Sequence, residues 1–305
     1  MTAVDSVPIV ARCPGCAGST QPDWRYCEEC GRHLSVEREV PRTLVSGLRD
    51  PRRELDLGVV AGGTDVGRLR SHNEDAVGVG VFADHAVAVV CDGVSSVLGA
   101  DEAAVRAASV GLRTLLDGVA KARPTTAAST LATLAAADVV AGLGDPDDAD
   151  SPCCTYVSAT VGPTKVVISW VGDSRAYWVD ADGVRPLTVD DSRAGRLLAA
   201  GIDPSDPLFT DPSAHALERW LGADVGVVEP KTHVFVPDKD GLVLVCSDGL
   251  SHYFDSGAIT APDSDAHPVD AVRVLLADTL AAGAHDNVSV AALSFTVPDS
   301  LRSHR

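Results

Sequence analysis

The 305-residue sequence lacks any apolar run close to the roughly 18–20 residues that a membrane-spanning helix needs. It also lacks a basic excess, because 25 Lys and Arg stand against 43 Asp and Glu, a net charge of −18. Such an acidic chain repels phosphate backbones and anionic membranes, which argues against nucleic acid or a membrane as a partner. Its first residues, MTAVDSVPIV, lack the basic and apolar regions of a secretory signal, and we therefore predict a cytoplasmic protein.

Two common hydrolase motifs are also missing. The nine histidines form no HExxH pair, which disfavours a catalytic zinc site. The segment GDSRA (172–176) resembles the G-x-S-x-G nucleophile elbow, but Ala176 stands where that motif ends in glycine. What the sequence does contain is 45% hydrophobic residues, enough at this length to bury one large core and a small appendage.

The eight cysteines fall into two groups. One group forms two CxxC pairs about ten residues apart, the spacing of a tetrahedral four-cysteine zinc site. A segment of about forty residues cannot bury a sufficient core alone, so a structural metal is needed there. Disulfides or redox-active CxxC pairs are the alternative, which a reducing cytoplasm disfavours. The predicted Zn²⁺ ligands are Cys13, Cys16, Cys27 and Cys30.

Residues 1–36, which contain these cysteines, resemble the short zinc ribbons of many bacterial and archaeal proteins. From Arg12 to Arg38 the segment carries four arginines and four acids, so its local charge is about zero. Trp24 and Tyr26 could stack on bases or cover the metal. The neutral charge favours a structural or protein-docking role over nucleic-acid binding.

The rest of the chain is predicted to be one α+β domain over 57–297, after a polar linker over 37–56 and before a tail over 298–305. Two consecutive helices within a run of strands favour α+β layering over alternating βαβ units. Helices are predicted over 101–121, 126–141 and 268–282. Strands are predicted over 57–61, 76–82, 86–91, 156–161, 165–171, 175–180, 232–236, 241–246 and 288–296.

Acidic residues stand repeatedly at the ends of the predicted strands. Carboxylates gathered there would repel each other unless a cation lay among them. Their oxygen atoms are the ligands that Mg²⁺ and Mn²⁺ prefer, and two such ions can activate a water for attack on a phosphoryl group. The acids of this pattern are Glu74, Asp75, Asp92, Asp173, Asp248 and Asp286. Gly93, after Asp92, permits a tight turn and lets a backbone carbonyl approach a metal.

At this point the chain resembles a known family, the metal-dependent type 2C (PPM) serine/threonine protein phosphatases of bacterial type. The resemblance covers residues 57–297 and implies a sandwich of two antiparallel sheets flanked by helices (αββα), with the metals in a cleft at one edge. It rests on ordered blocks: TDVGRLRSHNED (64–75), VVCDG (89–93), VGDSRAY (171–177), LTVDDS (187–192), RWLGAD (219–224), LVCSDGL (244–250) and AHDNVSV (284–290).

The resemblance also implies roles for individual residues. Asp92 looks like the carboxylate that bridges two Mn²⁺ or Mg²⁺ ions, and Gly93 like the donor of a backbone carbonyl. Asp248 and Asp286 look like ligands of one of these ions. The implied reaction is attack by a metal-bridging hydroxide on phosphoserine or phosphothreonine, without a phosphoenzyme intermediate.

Five further residues take roles by the same resemblance. Glu74 and Asp75 look like ligands of the other ion, partly through water. Asp173 resembles the acid of a weaker third metal site, and Asn287 is expected to support the ligands from behind. Arg70 stands where the family places its phosphate-binding arginine, whose planar fork suits bidentate contact with phosphate.

Three segments depart from the family pattern. Many bacterial members read DGMGG where this chain reads DGVSS, with Val94, Ser95 and Ser96. Val94 cannot donate a proton, whereas some eukaryotic members carry histidine there. Residues 153–155 (CCT) and 190–192 (DDS) replace Gly-Thr-Thr and Asp-His-Ser, the latter near the mobile flap over the site. None of these changes removes a predicted metal ligand.

We therefore expect a Mn²⁺- or Mg²⁺-dependent protein phosphatase that opposes a bacterial Ser/Thr kinase, with phosphorylated proteins as partners and the zinc ribbon as a docking module. The alternative is a catalytically weak pseudophosphatase that binds phosphoproteins or scaffolds a complex. The complete acid set favours the enzyme, and the DGVSS segment is the feature that keeps the alternative open.

Overall fold

The computed structural model describes residues 11–12, 16, 18–20, 27–31, 41–48, 50–94, 97–148, 150–203, 205–209 and 211–298. The chain divides into two units, residues 1–40 and 41–305. In the first unit the described residues form two short antiparallel strands, β1 (Ala11–Arg12) and β2 (Ser19–Thr20). Within the described ranges, none of the helices has the length and apolar character that crossing a bilayer requires.

Short runs rich in Val, Ala and Gly build two six-stranded sheets in the described part of the second unit. The strands in chain order are β3 (Arg42–Val45), β4 (Arg52–Asp56), β5 (Val60–Asp65), β6 (Ala76–Phe82), β7 (His85–Cys91), β8 (Tyr156–Val161), β9 (Val166–Val171), β10 (Arg175–Asp180), β11 (Gly183–Pro186), β12 (Lys231–Phe235), β13 (Gly241–Cys246) and β14 (Val288–Phe295). The first sheet has the order β11-β10-β13-β14-β5-β4 and the second β12-β9-β8-β7-β6-β3. All neighbours in both sheets are antiparallel.

The inner faces of the two sheets pack against each other over an apolar core. Most of its members are Val and Ala, whose burial supplies the main stabilising free energy. Trp178 is the largest fully buried side chain of this core, and it meets the rings of Phe235 and Phe295 edge-on, at centroid distances of 5.3 and 6.1 Å. This core fixes the sheets face to face, so that strand ends from both sheets meet at the same edge.

Helices cover both outer faces of the sandwich. Small residues in the strands let them approach: a Cβ on Gly63 would lie 2.7 Å from Leu276, and one on Gly80 would lie 2.7 Å from Leu116. Helices α1 and α2 pack on the second sheet, and α5 packs on the first. The α-helices are α1 (Ala100–Ala120), α2 (Thr125–Ala141), α3 (Arg193–Ala199), α4 (Asp248–Asp255) and α5 (Pro268–Ala282), and two 3-10 turns span Pro207–Phe209 and Pro212–His215. The predicted two-sheet antiparallel sandwich flanked by helices is confirmed.

The linker predicted over 37–56 is wrong from residue 42 onward. Strands β3 and β4 lie there and each forms one edge of a sheet. Edge strands bury few side chains, so they show little of the apolar signal by which strands are recognised. Leu55 alone is fully buried in β4, with 2% of its surface exposed.

Other differences are local. The strand predicted over 57–61 is β5, which starts later because Gly58 turns the chain at φ +86° and the Leu57 amide donates to the Val60 carbonyl. Strand β11 and helices α3 and α4 were not predicted, since each is short. The tail beyond residue 298 lies outside the described residues.

Candidate active site

The predicted metal ligands come from strand ends at one edge of the sandwich. In the second sheet, Glu74 and Asp75 precede β6 and Asp92 follows β7, and these ends are neighbours because Ala76 pairs with Cys91. In the first sheet, Asp173 precedes β10, Asp248 follows β13 and Asp286 precedes β14, and Cys246 pairs with both Arg175 and Val290. Antiparallel register therefore brings both groups of acids to the same edge.

The acids lie close enough to perturb each other's ionisation. Burial, together with the charges of Asp75, Asp248 and Asp173, raises the pKa of Asp92 well above its ordinary value. Burial and the charges of Asp248 and Asp286 raise the pKa of Asp75 to about 7. The residues form one electrostatic cluster with Asp92 at its centre.

Two more acids of the cluster show the same effect. Burial and the neighbouring charges of Asp248 and Asp190 raise the pKa of Asp173 to about 7. Burial is also the largest cause that raises the pKa of Asp248; a hydrogen bond with Asp92 opposes the shift and the charge of Asp286 adds to it. Ionising all of these carboxylates together is costly unless positive charge enters the site.

Arg70 supplies one positive charge at the border of this cluster. Its Nη2 donates to Asp286 Oδ2 at 2.7 Å, and 37% of the Arg70 side chain remains exposed. The hydrogen bond to Asp286 is the largest cause that raises the pKa of Arg70, so the guanidinium stays charged. A partly exposed guanidinium beside the acids is available to a phosphate group approaching from solvent.

The backbone of Asp92 is held by Thr155. The Asp92 amide donates to Thr155 Oγ1 at 3.0 Å, and the Thr155 amide donates to the Asp92 carbonyl at 2.8 Å. Thr155 Oγ1 also lies 2.7 Å from Ser174 Oγ, one residue after Asp173. Gly172, at φ +110°, packs on Thr155, where a Cβ would lie 2.8 Å from the threonine Cβ. Thr155 thus couples the loops that carry Asp92 and Asp173.

Asn287 ties the loop before β6 to strand β14. Its Oδ1 accepts from the Glu74 amide at 2.9 Å, and its Nδ2 donates to the carbonyls of Val66 and His72, each at 2.9 Å. The side chain is buried, with 3% of its surface exposed. Both the amide oxygen and the amide nitrogen of Asn287 therefore hold Glu74 and its loop in place.

Asp75 is oriented by Ser247, whose Oγ donates to Asp75 Oδ2 at 2.8 Å. The Ser289 amide donates in turn to Ser247 Oγ at 3.0 Å. The positioning roles of four residues were not predicted from the sequence: Thr155, Ser174, Ser247 and Ser289. Their signal was weak, because each is a small hydroxyl residue beside a predicted ligand or at the start of a strand.

Close approach explains two of the glycines that follow aspartate. A Cβ on Gly93 would lie 2.7 Å from the carbonyl oxygens of both Glu74 and Ala100. A Cβ on Gly249 would clash with the carbonyl oxygen of Asn287. Any other residue at these positions would push apart the loops that carry Glu74, Asp92 and Asp286.

The segments that depart from the family pattern serve structural contacts. The Val94 amide donates to the Cys153 carbonyl at 3.1 Å. Asp190 accepts two hydrogen bonds from Arg175, at 2.8 and 2.7 Å. Ser192 caps helix α3 by accepting from the Gly195 amide at 3.1 Å. Ser95 and Ser96 lie outside the described residues.

The four acids of the cluster and the ribbon cysteines differ in spacing. Among the residues that the structure describes, Cys16, Cys27 and Cys30 are the group of three whose ligand atoms all lie within 4.8 Å of one another. The Sγ atoms of Cys16 and Cys27 are 3.5 Å apart. Cys13 lies outside the described residues. No three carboxylates of the described residues have their ligand atoms within 4.8 Å of one another.

No family model matches the sequence. The Serine/threonine phosphatase stp of Listeria innocua is 32% identical over 197 residues, which are 62% of this chain and 76% of the relative. The protein of the same name from Listeria monocytogenes is 31% identical over 197 residues, which are also 62% of this chain and 76% of the relative.

Solved structures with the same fold agree with this result. The PPM Ser-Thr phosphatase MsPP of Mycobacterium smegmatis is 28% identical with a TM-score of 0.57, covering 77% of this chain and 97% of that one. Stp1 of Staphylococcus aureus, a serine/threonine phosphatase, has the same fold at 24% identity and a TM-score of 0.63. The match covers 80% of this chain and 97% of Stp1. Together with the sequence relatives, these likenesses confirm the resemblance drawn from the motifs. The chain belongs to the PPM family of bacterial serine/threonine protein phosphatases.

Proposed function

We propose that the acid cluster binds two Mn²⁺ or Mg²⁺ ions and that the chain hydrolyses phosphoserine and phosphothreonine in proteins. The observation that carries this proposal is the raised pKa of Asp92, caused by burial and by Asp75, Asp248 and Asp173. So many buried carboxylates at one site are stable as anions only with cations among them. The oxygen-only donor set suits hard divalent ions.

The roles of the ligands are those that the resemblance to the PPM family implies. Asp92, central to the cluster, would bridge the two ions, with the Gly93 carbonyl beside it. Asp248 and Asp286 would bind one ion, and Glu74 and Asp75 the other. These assignments are supported by the strand ends that carry each pair and by a fold neighbour, the PstP catalytic domain (21% identity, TM-score 0.56), solved in complex with two manganese ions.

Asp173 would contribute to a weaker third site. Its charge acts on Asp92, and the charge of Asp248 acts on it in turn. It lines a groove with Asp248 and Ser251, so an ion there would face solvent.

When bound, the two ions would activate a water as the nucleophile and would neutralise charge on the phosphoryl oxygens. Arg70 would hold two phosphate oxygens with its planar fork while Asp286 orients it. Ser174 does not compete as a nucleophile, because it is 1% exposed and lies within hydrogen-bonding distance of Thr155. Val94 has no proton to give, so water would protonate the leaving alkoxide.

The N-terminal cysteines would bind a structural Zn²⁺ ion. Three thiols already converge, and the spacing of the two CxxC pairs supplies Cys13 as the fourth. We assign the segment 1–36 a protein-docking role because its charge is near zero. The substrates of a phosphoprotein phosphatase are made by kinases, so this enzyme would oppose a Ser/Thr kinase.

Replacing Asp92 by Asn should abolish metal-dependent hydrolysis. Loss of the central carboxylate removes several kcal/mol of transition-state stabilisation, so the rate should fall on the order of 10³-fold or more. The measurement is hydrolysis of p-nitrophenyl phosphate and of a phosphothreonine peptide with and without Mn²⁺. Asp263→Asn, at an exposed acid away from the cluster, is the control and should match the wild type. Equal activity in Asp92→Asn would refute the assignment.

The metal-free protein should lose stability as the pH rises. Asp173 has a pKa of about 7 when folded, against an ordinary value near 3.8, so its ionisation favours unfolding between these values. The free energy of unfolding of Asp173→Asn should therefore equal that of the wild type near pH 3.5. Above pH 7 the variant's free energy of unfolding should exceed that of the wild type by about 1–4 kcal/mol. Urea unfolding in EDTA from pH 3.5 to 8 measures this, and a pH-independent difference would contradict it.

Zinc content provides a separate test of the ribbon. Protein purified under reducing conditions should carry one Zn²⁺ per chain, because four thiolates complete a tetrahedral site. Cys27→Ser should lose most of that zinc, whereas Cys153→Ser, at a buried cysteine of the second unit, should keep it. Elemental analysis decides between these results. A wild type without zinc would rule out the ribbon.

A further inference from the structure

A cavity of about 800 Å³ opens in the second unit between the hairpin β10–β11 and helices α3 and α4. This volume lies within the range of ligand-binding pockets. Covering the apolar side chains on its walls would remove them from water, which is favourable. They are Val184, Pro186, Leu198, Phe209 and Phe254.

The cavity borders the groove of the acid cluster. Arg175, Asp190 and Asp255 line both spaces. The groove on their other side is lined by Asp173 and Asp248, which we assigned to the metal site. A single layer of side chains therefore separates the apolar cavity from the site of phosphate hydrolysis.

Arg175 makes this layer rigid. Its Nε and Nη2 donate to the two carboxylate oxygens of Asp190, and its Nη1 donates to Asp255 at the end of α4. The guanidinium is engaged with these two acids and is poorly placed to capture a phosphate itself. Behind it, Tyr177 stacks on Phe254 with ring centroids 5.5 Å apart. The cavity thus has a formed wall before any ligand enters.

We propose that this cavity binds an apolar side chain of the phosphoprotein substrate, two to four residues from the phosphorylated serine or threonine. The proposal rests on the proposed function, because it takes the acid cluster as the place where the phosphate lies. Asp173 and Arg175 are two positions apart, and an extended chain rises about 3.3 Å per residue. A substrate that leaves the acid cluster across Arg175 therefore reaches the cavity within a few residues.

Charge also favours a peptide as the occupant. Besides the proposed metal ligands, the approach is lined by Asp190 and Asp255, and the single positive charge of Arg175 only partly offsets their two negative charges. A small anionic metabolite would be repelled there, whereas a peptide can place neutral or basic residues opposite these acids and still deliver an apolar side chain beyond them. Substrates should therefore combine a basic or neutral residue beside the phosphorylated one with an apolar residue farther along.

The test uses two kinds of phosphothreonine peptide with the full-length, Mn²⁺-loaded enzyme. Each peptide has lysine beside the phosphothreonine and alanine elsewhere, and one leucine is moved through the positions two to four residues away on either side. The reference peptide has alanine at all of them. We expect one leucine position to raise kcat/KM about 10-fold or more over the reference, as one well-buried apolar side chain typically does.

Leu198→Glu tests whether the cavity causes that preference. Leu198 lies on α3 with 46% of its surface exposed, so a charge there enters the cavity without entering the core. Leu131→Glu is the matched control, on α2 with 43% exposed and away from the cavity. Val184→Glu, on β11, serves as a second variant if Leu198→Glu does not fold, with the exposed Val236→Glu as its control.

The readout is the ratio of kcat/KM for the leucine peptide to that for the reference. This ratio should fall toward one in Leu198→Glu or Val184→Glu and stay at the wild-type value in the controls. No preference at any leucine position would overturn the proposal, as would a preference that survives both cavity variants. An absence of Mn²⁺-dependent hydrolysis for every peptide would instead overturn the proposed function itself.

Discussion

Repulsion among buried carboxylates is the constraint on which the rest of this structure depends. Asp92 lies amid Asp75, Asp173 and Asp248, and burial makes their simultaneous ionisation costly. An apolar core alone does not compensate the cost of burying several negative charges close together. The arrangement is explained if the core holds the carboxylates together and divalent cations neutralise their charge. Membership of the PPM family supports that view.

Holding such a cluster in place requires rigid loops. The loops are tied across the two sheets by side chains that bind no metal in our assignment. Thr155 joins the backbone of Asp92 to the loop of Asp173, and Asn287 joins the loop of Glu74 to strand β14. These residues act by position, so the two sheets must stay in register for the cluster to exist. The sandwich core between the sheets provides that register.

Much of this site could be predicted from the sequence, because its main signal is local. An aspartate after a buried apolar run, as at Asp92 and Asp248, marks a strand end, and the motif order indicated the family and the sandwich. The strands β3 and β4 escaped prediction, since edge strands bury few side chains and theirs are largely polar. The hydroxyl residues that support the ligands were not predicted for another reason. Thr155 contacts Asp92 only across strands, at a sequence separation of 63 residues. The cavity beside Arg175 likewise combines distant segments that no local pattern relates.

The central claim is that the acid cluster is a two-ion site, and diffraction tests it most directly. Crystals grown with Mn²⁺ and measured at the manganese absorption edge should show two anomalous peaks. Both should lie within about 2.0–2.4 Å of Asp92 oxygens, one toward Asp75 and the other toward Asp248 and Asp286. In Asp92→Asn crystals the pair should be lost or reduced to one weak peak. A wild-type map with an ordered Asp92 side chain and no manganese peak beside it would contradict the account.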